Sequence, residues 1–461
     1  MAVVVQRSNL TDTDKAFIRE TLSITTNTDP PVTVKPFKVI DQDVRLPFAF
    51  YSELREFGNH KDWPLFPNDL LHPTRFTPEW SFTAELREYQ KEVWKETLPI
   101  LQARHAILLQ LYCGWGKTLF TAYISSKVQL VTLILYHISP LGRSWPTTFS
   151  SFTNAVVCHL GHDKFNPDAH IYICTVGMAL SDNFPLDPKR IGVLAIDEAH
   201  AFCSPQRIFS LIRFQPKYLI LLTATPDKSN GLGKLINTFV GTLKVDSKGV
   251  EVSGQVPISI IRISSKPFTV YKCQTLFKPR IKANDRGLDW QEVKNSLLPN
   301  TDPAKSPPLS FAVTKLICDW ASANPHKKIL IPCIQISQVK AIAEELRKRG
   351  DDVGTLYGKD SSYDECRVLV AIGVKVQVGF DDRMSCRNFG GRTLDMVILA
   401  WSYKDKGVIE QTVGRMRGEN GVVIDIVHHF SSFTKHFKNR EEWYLSRKGV
   451  IKEASVPMAV E

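Results

Sequence analysis

The stretch "LYCGWGKT", residues 111–118, gathers residue types that suit one task, the holding of a phosphate. Gly114 and Gly116 let backbone amides turn inward, Lys117 supplies a point charge, and Thr118 supplies a hydroxyl for a magnesium ion. The usual pattern, Gly-x-x-x-x-Gly-Lys-Ser/Thr, would put glycine where this chain has Leu111. The loop Tyr112, Cys113, Gly114, Trp115, Gly116, Lys117, Thr118 therefore departs from it by one residue. Further on, "AIDEAH" sets Asp197 at the end of an apolar run. There its carboxylate can hold magnesium through water, with Glu198 beside it to orient or deprotonate an attacking water. Alone, an Asp-Glu pair is more often a solvated strand edge. Its company points elsewhere: "TAT" (Thr223, Ala224, Thr225) follows, and "QTVGRMR" (Gln411 to Arg417) closes the second half of the chain. Four such groups in this order, each at a strand end or helix start, are no random coincidence.

Such groups need rigid carriers. "HAILLQL" runs into the glycine loop, "VTLILYHI" into "SPLGRSW", "HIYICTV" into "GMAL", "IGVLAI" into "DEAH" and "KYLILL" into "TATP". Continuous apolar runs of this length predict strands buried on both faces, as in a parallel α/β sheet with functional loops at the strand carboxyl ends. A second such unit begins near residue 305 with the strand "KKILIPCI" and the helix "SQVKAIAEELRKRG". In that helix Val339, Ile342, Ala343 and Leu346 form the apolar stripe, Ser337 is the expected N-cap and Gly350 the stop. Proline- and serine-rich "SLLPNTDPAKSPPLS" lies between the units as a linker. The expected organisation is an N-terminal extension over 1–84, a nucleotide-binding α/β domain over 85–248, a connecting segment over 249–310, a second α/β domain over 311–447 and a tail over 448–461.

Composition sets the outer bounds. With 461 residues, 43% hydrophobic and 23% charged, the chain suits several globular domains. Nine cysteines without a Cys-x-x-Cys pair argue for reduced thiols and against zinc, so magnesium is the only metal expected. The opening "MAVVVQRSNL" is too short in apolar residues for a signal peptide, and the greasiest runs are strand-sized, so no membrane segment and an intracellular, reducing setting are expected. The net charge of +11 favours a polyanionic partner. Lys266 to Arg286 and Lys435 to Lys452 are basic segments, the second interleaved with Phe433, Phe437, Trp443 and Tyr444. Basic charge with stacking aromatics suits single-strand binding, although these aromatics read first as core.

On these motifs, residues 84 to 447 resemble the superfamily two helicases, which implies two tandem RecA-like domains, ATP with magnesium as substrate, and nucleic acid as partner. The resemblance assigns Arg87 and Gln90 of "LREYQ" to adenine. It gives Lys117 and the amides of Gly114 to Thr118 to the β- and γ-phosphates, Thr118 and Asp197 to magnesium, and Glu198 to the water. Gln411, Arg415 and Arg417 address the γ-phosphate, while His200, Thr223, Ala224 and Thr225 relay nucleotide state. Ser139, Pro140, Leu141, Arg143 and Thr175 are its strand contacts. From "VGFDD" only Gly379, as a coupling residue, and Asp381, as a ribose or strand-coupling contact, carry over. The closing motif departs from the usual Gly-Arg-x-x-Arg, since Arg417 comes one residue early. Either a helix ending at Met416 lets Arg417 curl back as the finger with Arg415 bracing it, or Arg415 is the finger and acts with less help. More narrowly, the block from "GVKVQVGFDD" to "NREEWY", with "FKVIDQDVRLPFAFY" and "GLDWQEVKNSLLPN", resembles the transcript-release helicases of poxviruses and other large cytoplasmic DNA viruses. That implies a DNA-dependent ATPase unwinding duplex 3′ to 5′ in viral transcription termination or replication, in the host cytoplasm and in virions, with the transcription machinery as partner. A nucleotide-gated clamp without processive unwinding and an RNA helicase share the same ATP-site residues and stay open, as does the oligomeric state.

Overall fold

The apolar runs expected as strands form two all-parallel sheets, one in each of two units that divide near residue 263. The computed structural model describes residues 2–72, 80–112, 114–137, 139–224, 231–241, 260–263, 266–277, 289–377, 380, 385–416 and 420–460.

The first unit opens with a small antiparallel sheet in the order β1 (Ala2–Gln6), β3 (Asp43–Pro47), β2 (Lys38–Ile40). Helix α1 (Asp12–Thr21) starts in a reciprocal cap: the Thr11 hydroxyl accepts the Asp14 N–H and the Asp14 carboxylate accepts the Thr11 N–H. Helix α2 (Phe48–Phe57) packs on it through Phe17, which stacks on Phe50 and Phe57. This segment is built into the body of the first unit. The Ala2 N–H donates to Phe214 O, the Asn68 amide donates to the carbonyls of Ala2 and Pro216, and Val3, Leu46 and Phe50 share one apolar cluster with Leu108, Leu194 and Leu221.

Helix α3 (Glu88–Arg104) leads into β4 (Ala106–Leu111), then α4 (Lys117–Val128), β5 (Thr132–Tyr136), α5 (Ser139–Phe152), β6 (Val157–His159), β7 (Ile171–Thr175), β8 (Val193–Ile196), β9 (Tyr218–Thr223) and β10 (Ile260–Ile263). Among the described residues the sheet order is β10-β4-β9-β8-β5-β7-β6. Every residue of β5 and β8 is buried, which is why these strands read as unbroken apolar runs and not as alternating ones. Register pairs Ile196 with Leu135 and Leu221, and Thr223 with Gln110, so the polar tails of β4, β5, β8 and β9 leave the sheet at the same edge.

In the second unit β11 (Phe268–Gln274), helix α6 (Pro308–Ser322), β12 (Ile329–Cys333), α7 (Ile336–Lys348), β13 (Val353–Leu356), β14 (Val368–Ile372), β15 (Met396–Leu399), α8 (Lys406–Val413), β16 (Gly421–Val427), α9 (Ser431–Ser446) and β17 (Gly449–Ala454) follow. The described sheet order is β13-β14-β12-β15-β16-β11-β17. The segment read as a connector thus gives one strand, β10, to the first sheet and another, β11, to the second. In α7 the stripe Val339, Ile342, Ala343 and Leu346 is buried as its spacing requires, and Gly350 stops the chain at φ +85°. The N-cap is Gln335 and not Ser337; the helix start is tied by Gln338, whose Oε1 accepts the Ile334 N–H and whose Nε2 donates to Ala400 O. Phe433, Phe437, Trp443 and Tyr444 are buried core. The eight described cysteines are buried thiols, and among the described residues no helix is long and apolar enough to cross a membrane.

Candidate active site

The glycine loop leaves β4 and enters α4 through two left-handed residues, Gly114 at φ +82° and Gly116 at φ +101°. A side chain is costly at either angle, and at Gly116 a Cβ would also lie 2.7 Å from Gln90 Nε2. Lys117 is the first residue of α4, so its charge sits beside the open N–H groups of a helix amino end, where anions bind. Its Nζ donates to Leu111 O at 3.2 Å. The loop is buttressed from α3: Gln90 Nε2 and the Tyr89 hydroxyl each donate to Trp115 O at 3.3 Å, and Gln90 Oε1 accepts the Arg87 N–H at 3.1 Å. Trp115 is buried edge-on against Tyr89 and Phe120.

Asp197 and Glu198 follow β8 directly. Asp197 is 6% exposed. Its Oδ2 accepts the Trp145 indole N–H at 2.9 Å and its Oδ1 accepts the Glu198 N–H at 3.0 Å. Burial pushes its carboxyl up to about 6, the Glu198 charge adds to the rise, and Lys117 together with the two donors opposes it. Glu198 holds φ +50°, a left-handed conformation that costs a residue bearing a Cβ on the order of 1–3 kcal/mol. His200 Nδ1 lies 2.8 Å from Thr223 Oγ1 and 3.4 Å from Glu198 Oε2, joining the ends of β8 and β9. Gln110 Nε2 donates to Ala224 O at 3.4 Å, joining β9 to β4.

In the second unit α8 ends at Val413 with Gly414 as its cap. The helix is therefore three residues shorter than the expected end at Met416. Arg415 and Met416 form a tighter turn, with the Arg415 N–H on Thr412 O and the Met416 N–H on Val413 O. The Arg415 guanidinium donates to Val376 O at 3.2 Å and to Phe380 O. Gln411 is buried. Its neighbour Glu410 pins α8 by accepting the Trp443 indole at 3.1 Å and Arg447 Nε at 2.8 Å.

Residues 83–228 match the family model "Type III restriction enzyme, res subunit". The chain is 27% identical over 404 residues to protein 161L of Invertebrate iridescent virus 6, named as a helicase, covering 80% of this chain and 83% of that one. It is 25% identical over 393 residues to the helicase-named protein 055L of Frog virus 3, covering 80% of each. The chain is a superfamily two helicase of the large-DNA-virus type. Among solved structures, Saccharomyces cerevisiae Dbp5 bound to RNA and ADP BeF3 aligns with 78% of this helicase and 89% of its own chain, at 15% identity and a TM-score of 0.49. The two parallel α/β sheets, the first with the glycine loop after β4, are the RecA-like pair expected of such an enzyme, which hydrolyses ATP.

Of the residues expected at the site, the helicase brings Lys117, Thr118, Asp197, Glu198, His200 and Thr223 to one edge of the first sheet. Gln90, assigned to adenine, has its amide on the loop itself, and Arg87 caps α3. Thr175 caps the short helix Val176–Leu180, its Oγ1 accepting the Met178 N–H. Cys113, Thr225, Gly379, Asp381 and Arg417 lie outside the described residues, as do the side chains of Ser139, Pro140, Leu141 and Arg143, whose backbone forms the first turns of α5. Two residues escaped the sequence reading, Tyr89 and Trp145. Trp145 carried a signal, because a tryptophan on a helix in the core needs an acceptor for its N–H. For magnesium, the Asp197 carboxylate and the Thr118 hydroxyl are hard oxygen donors, and no group of three metal-ligating side chains occurs among the described residues. So sparse a donor set fits an ion that keeps several waters and binds chiefly through substrate phosphates.

Proposed function

We propose that this helicase is a DNA-dependent ATPase that moves 3′ to 5′ along one strand, displaces its complement and releases transcripts at viral termination, in the reducing interior of an infected cell. The observation that carries the ATP reading is the buried Asp197, with its raised pKa, beside the Lys117 loop. Lys117 exchanges the Leu111 carbonyl for the β- and γ-phosphates, and the Gly114–Thr118 amides complete the cradle. Thr118 and Asp197 would hold magnesium, which when bound would supply charge neutralisation on the phosphates. Glu198 orients the water and accepts its proton, and the His200–Thr223 contact relays occupancy to the loops after β9. Arg415, engaged with the carbonyls of Val376 and Phe380, braces the turn, which leaves Arg417 as the finger. The DNA and transcription assignments rest on the resemblance of the C-terminal half to transcript-release helicases and on relatives from large DNA viruses.

The test is ATPase stimulation by single-stranded DNA, duplex DNA and RNA, followed by displacement from substrates with 3′ or 5′ tails and release of a transcript from a stalled elongation complex. The reading expects the largest stimulation by single-stranded DNA and displacement from 3′-tailed duplexes. Stronger stimulation by RNA makes it an RNA helicase, DNA stimulation without displacement makes it a clamp, and no stimulation by any polymer overturns the reading.

A further inference from the structure

Trp145 has no part in the assignments above, yet it touches their central carboxylate. Its side chain is 0% exposed, and its Nε1 donates to Asp197 Oδ2 at 2.9 Å while the Glu198 N–H occupies Oδ1 at 3.0 Å. One donor on each oxygen fixes both the rotamer and the plane of the carboxylate and leaves each oxygen further accepting capacity. The second donor belongs to the chain's next residue and travels with Asp197. The first comes from a different element, α5.

Helix α5 rests on a hard contact. Gly142, one turn before Trp145, lies against the end of β5 so closely that a Cβ would stand 2.3 Å from Tyr136 Cζ. Tyr136 is buried and held in turn, its hydroxyl 2.8 Å from His159 Nε2. The backbone from Ser139 to Trp145 is one continuous helix, about 9 Å along the axis, so a displacement of its first turn is carried to residue 145. That first turn, starting at Ser139, is where the proposed strand contacts lie.

We infer that Trp145 is a positioning residue that holds the Asp197 carboxylate in register for magnesium and ties that register to strand occupancy at the start of α5. The inference rests on the ATP-site reading of the preceding section. The indole makes no contact with substrate in this role; it acts through Asp197 alone.

The experiment uses the full chain with Trp145→Phe and, separately, with benzothienylalanine at position 145, which keeps the bicyclic outline and replaces N–H by sulfur. The magnesium dependence of binding a fluorescent ATP analogue is titrated with and without single-stranded DNA, alongside ATPase kcat and KM. In the parent, DNA should lower the half-saturating magnesium concentration. In both variants that concentration should rise about tenfold, the scale of one lost hydrogen bond to a charged acceptor, and DNA should no longer lower it. Magnesium-free binding of the analogue should stay within about twofold, and kcat should fall with KM little changed. Parental magnesium dependence in the benzothienylalanine protein overturns the inference, because packing alone would then explain any defect of Trp145→Phe. Loss of cooperative unfolding in that protein overturns it too, by making the bond a requirement of folding. Lys117→Ala separates the two readings. If it binds the analogue like the parent, the ATP site is wrong; if it does not and the Trp145 variants match the parent, only the role of Trp145 is wrong.

Discussion

Two buried aspartates show how this molecule distinguishes scaffold from chemistry. Asp425, in β16, is 0% exposed and meets Arg440, also 0% exposed, through two bonds of 2.8 Å, with the Tyr444 hydroxyl as a third donor at 2.8 Å. Asp197, after β8, is nearly as buried but is held by an indole and an amide, both neutral, with Lys117 as the cation opposing the rise in its pKa. The first acid is consumed in fastening α9 to its sheet. The second keeps a raised pKa and unspent accepting capacity, the signature of a group held ready for a ligand. Removing a charge partner should therefore break the fold in one place and the reaction in the other.

The largest effect is expected in the scaffold. Arg440→Met leaves Asp425 buried and uncompensated, which costs about 3–5 kcal/mol. Hydrogen exchange resolved to the second unit should show that loss, with ATP affinity unchanged; a second unit as protected as the parent's would contradict the assignment. Lys117→Ala should lower ATPase turnover by about 10²–10³ and leave nucleotide-free strand binding within a few-fold, as read by anisotropy. Gly116→Ala must hold φ +101° and displace Gln90, so ATP affinity should weaken by roughly tenfold or more, the scale of 1–3 kcal/mol of backbone strain; equilibrium binding of a fluorescent analogue checks it.

The smallest effect is in pH dependence. Burial lowers His428 to about 4. A histidine whose folded pKa is depressed contributes stability that is present above its unfolded value near 6.5 and is lost as pH falls toward 4. Between pH 6.5 and 5.5 that loss is about 1 kcal/mol, visible as a lower urea midpoint for the second unit. A midpoint that rises over this interval would show that His428 is not buried neutral.

What the sequence revealed follows from how local each signal is. The strand ends at Asp197 and Thr223, and the glycine loop that leads to Lys117, were legible because each follows a continuous apolar run, and parallel pairing of β4, β9 and β8 then aligns those ends. The stripe of α7 was legible because helical periodicity is internal to the helix. Contacts set by distant partners were not. The Trp145–Asp197 and Gln90–Trp115 bonds depend on tertiary packing, and the start of α7 was misplaced because Gln338 reaches Ala400 across the sheet. Helix α8 ends at Val413, where Gly414 and the grip of Arg415 on Val376 and Phe380 draw the chain into a turn. A reading of "GRMRG" alone gave no sight of those carbonyls.

The most direct measurement sets Asp197→Asn against Asp425→Asn in the full chain, with ATPase turnover at saturating DNA and unfolding followed on the same preparations. Asn at 197 keeps one acceptor oxygen for Trp145, turns its NH2 toward the Glu198 N–H and removes a buried charge, so turnover should fall by about 10²-fold or more with stability close to the parent's. Asn at 425 leaves Arg440 without its counter-ion, so the second unit should unfold at a midpoint lower by roughly 10 °C while the molecules that remain folded hydrolyse ATP at the parental rate. If Asp197→Asn instead turns over normally and loses stability, Asp197 is scaffold and the account of the site is wrong.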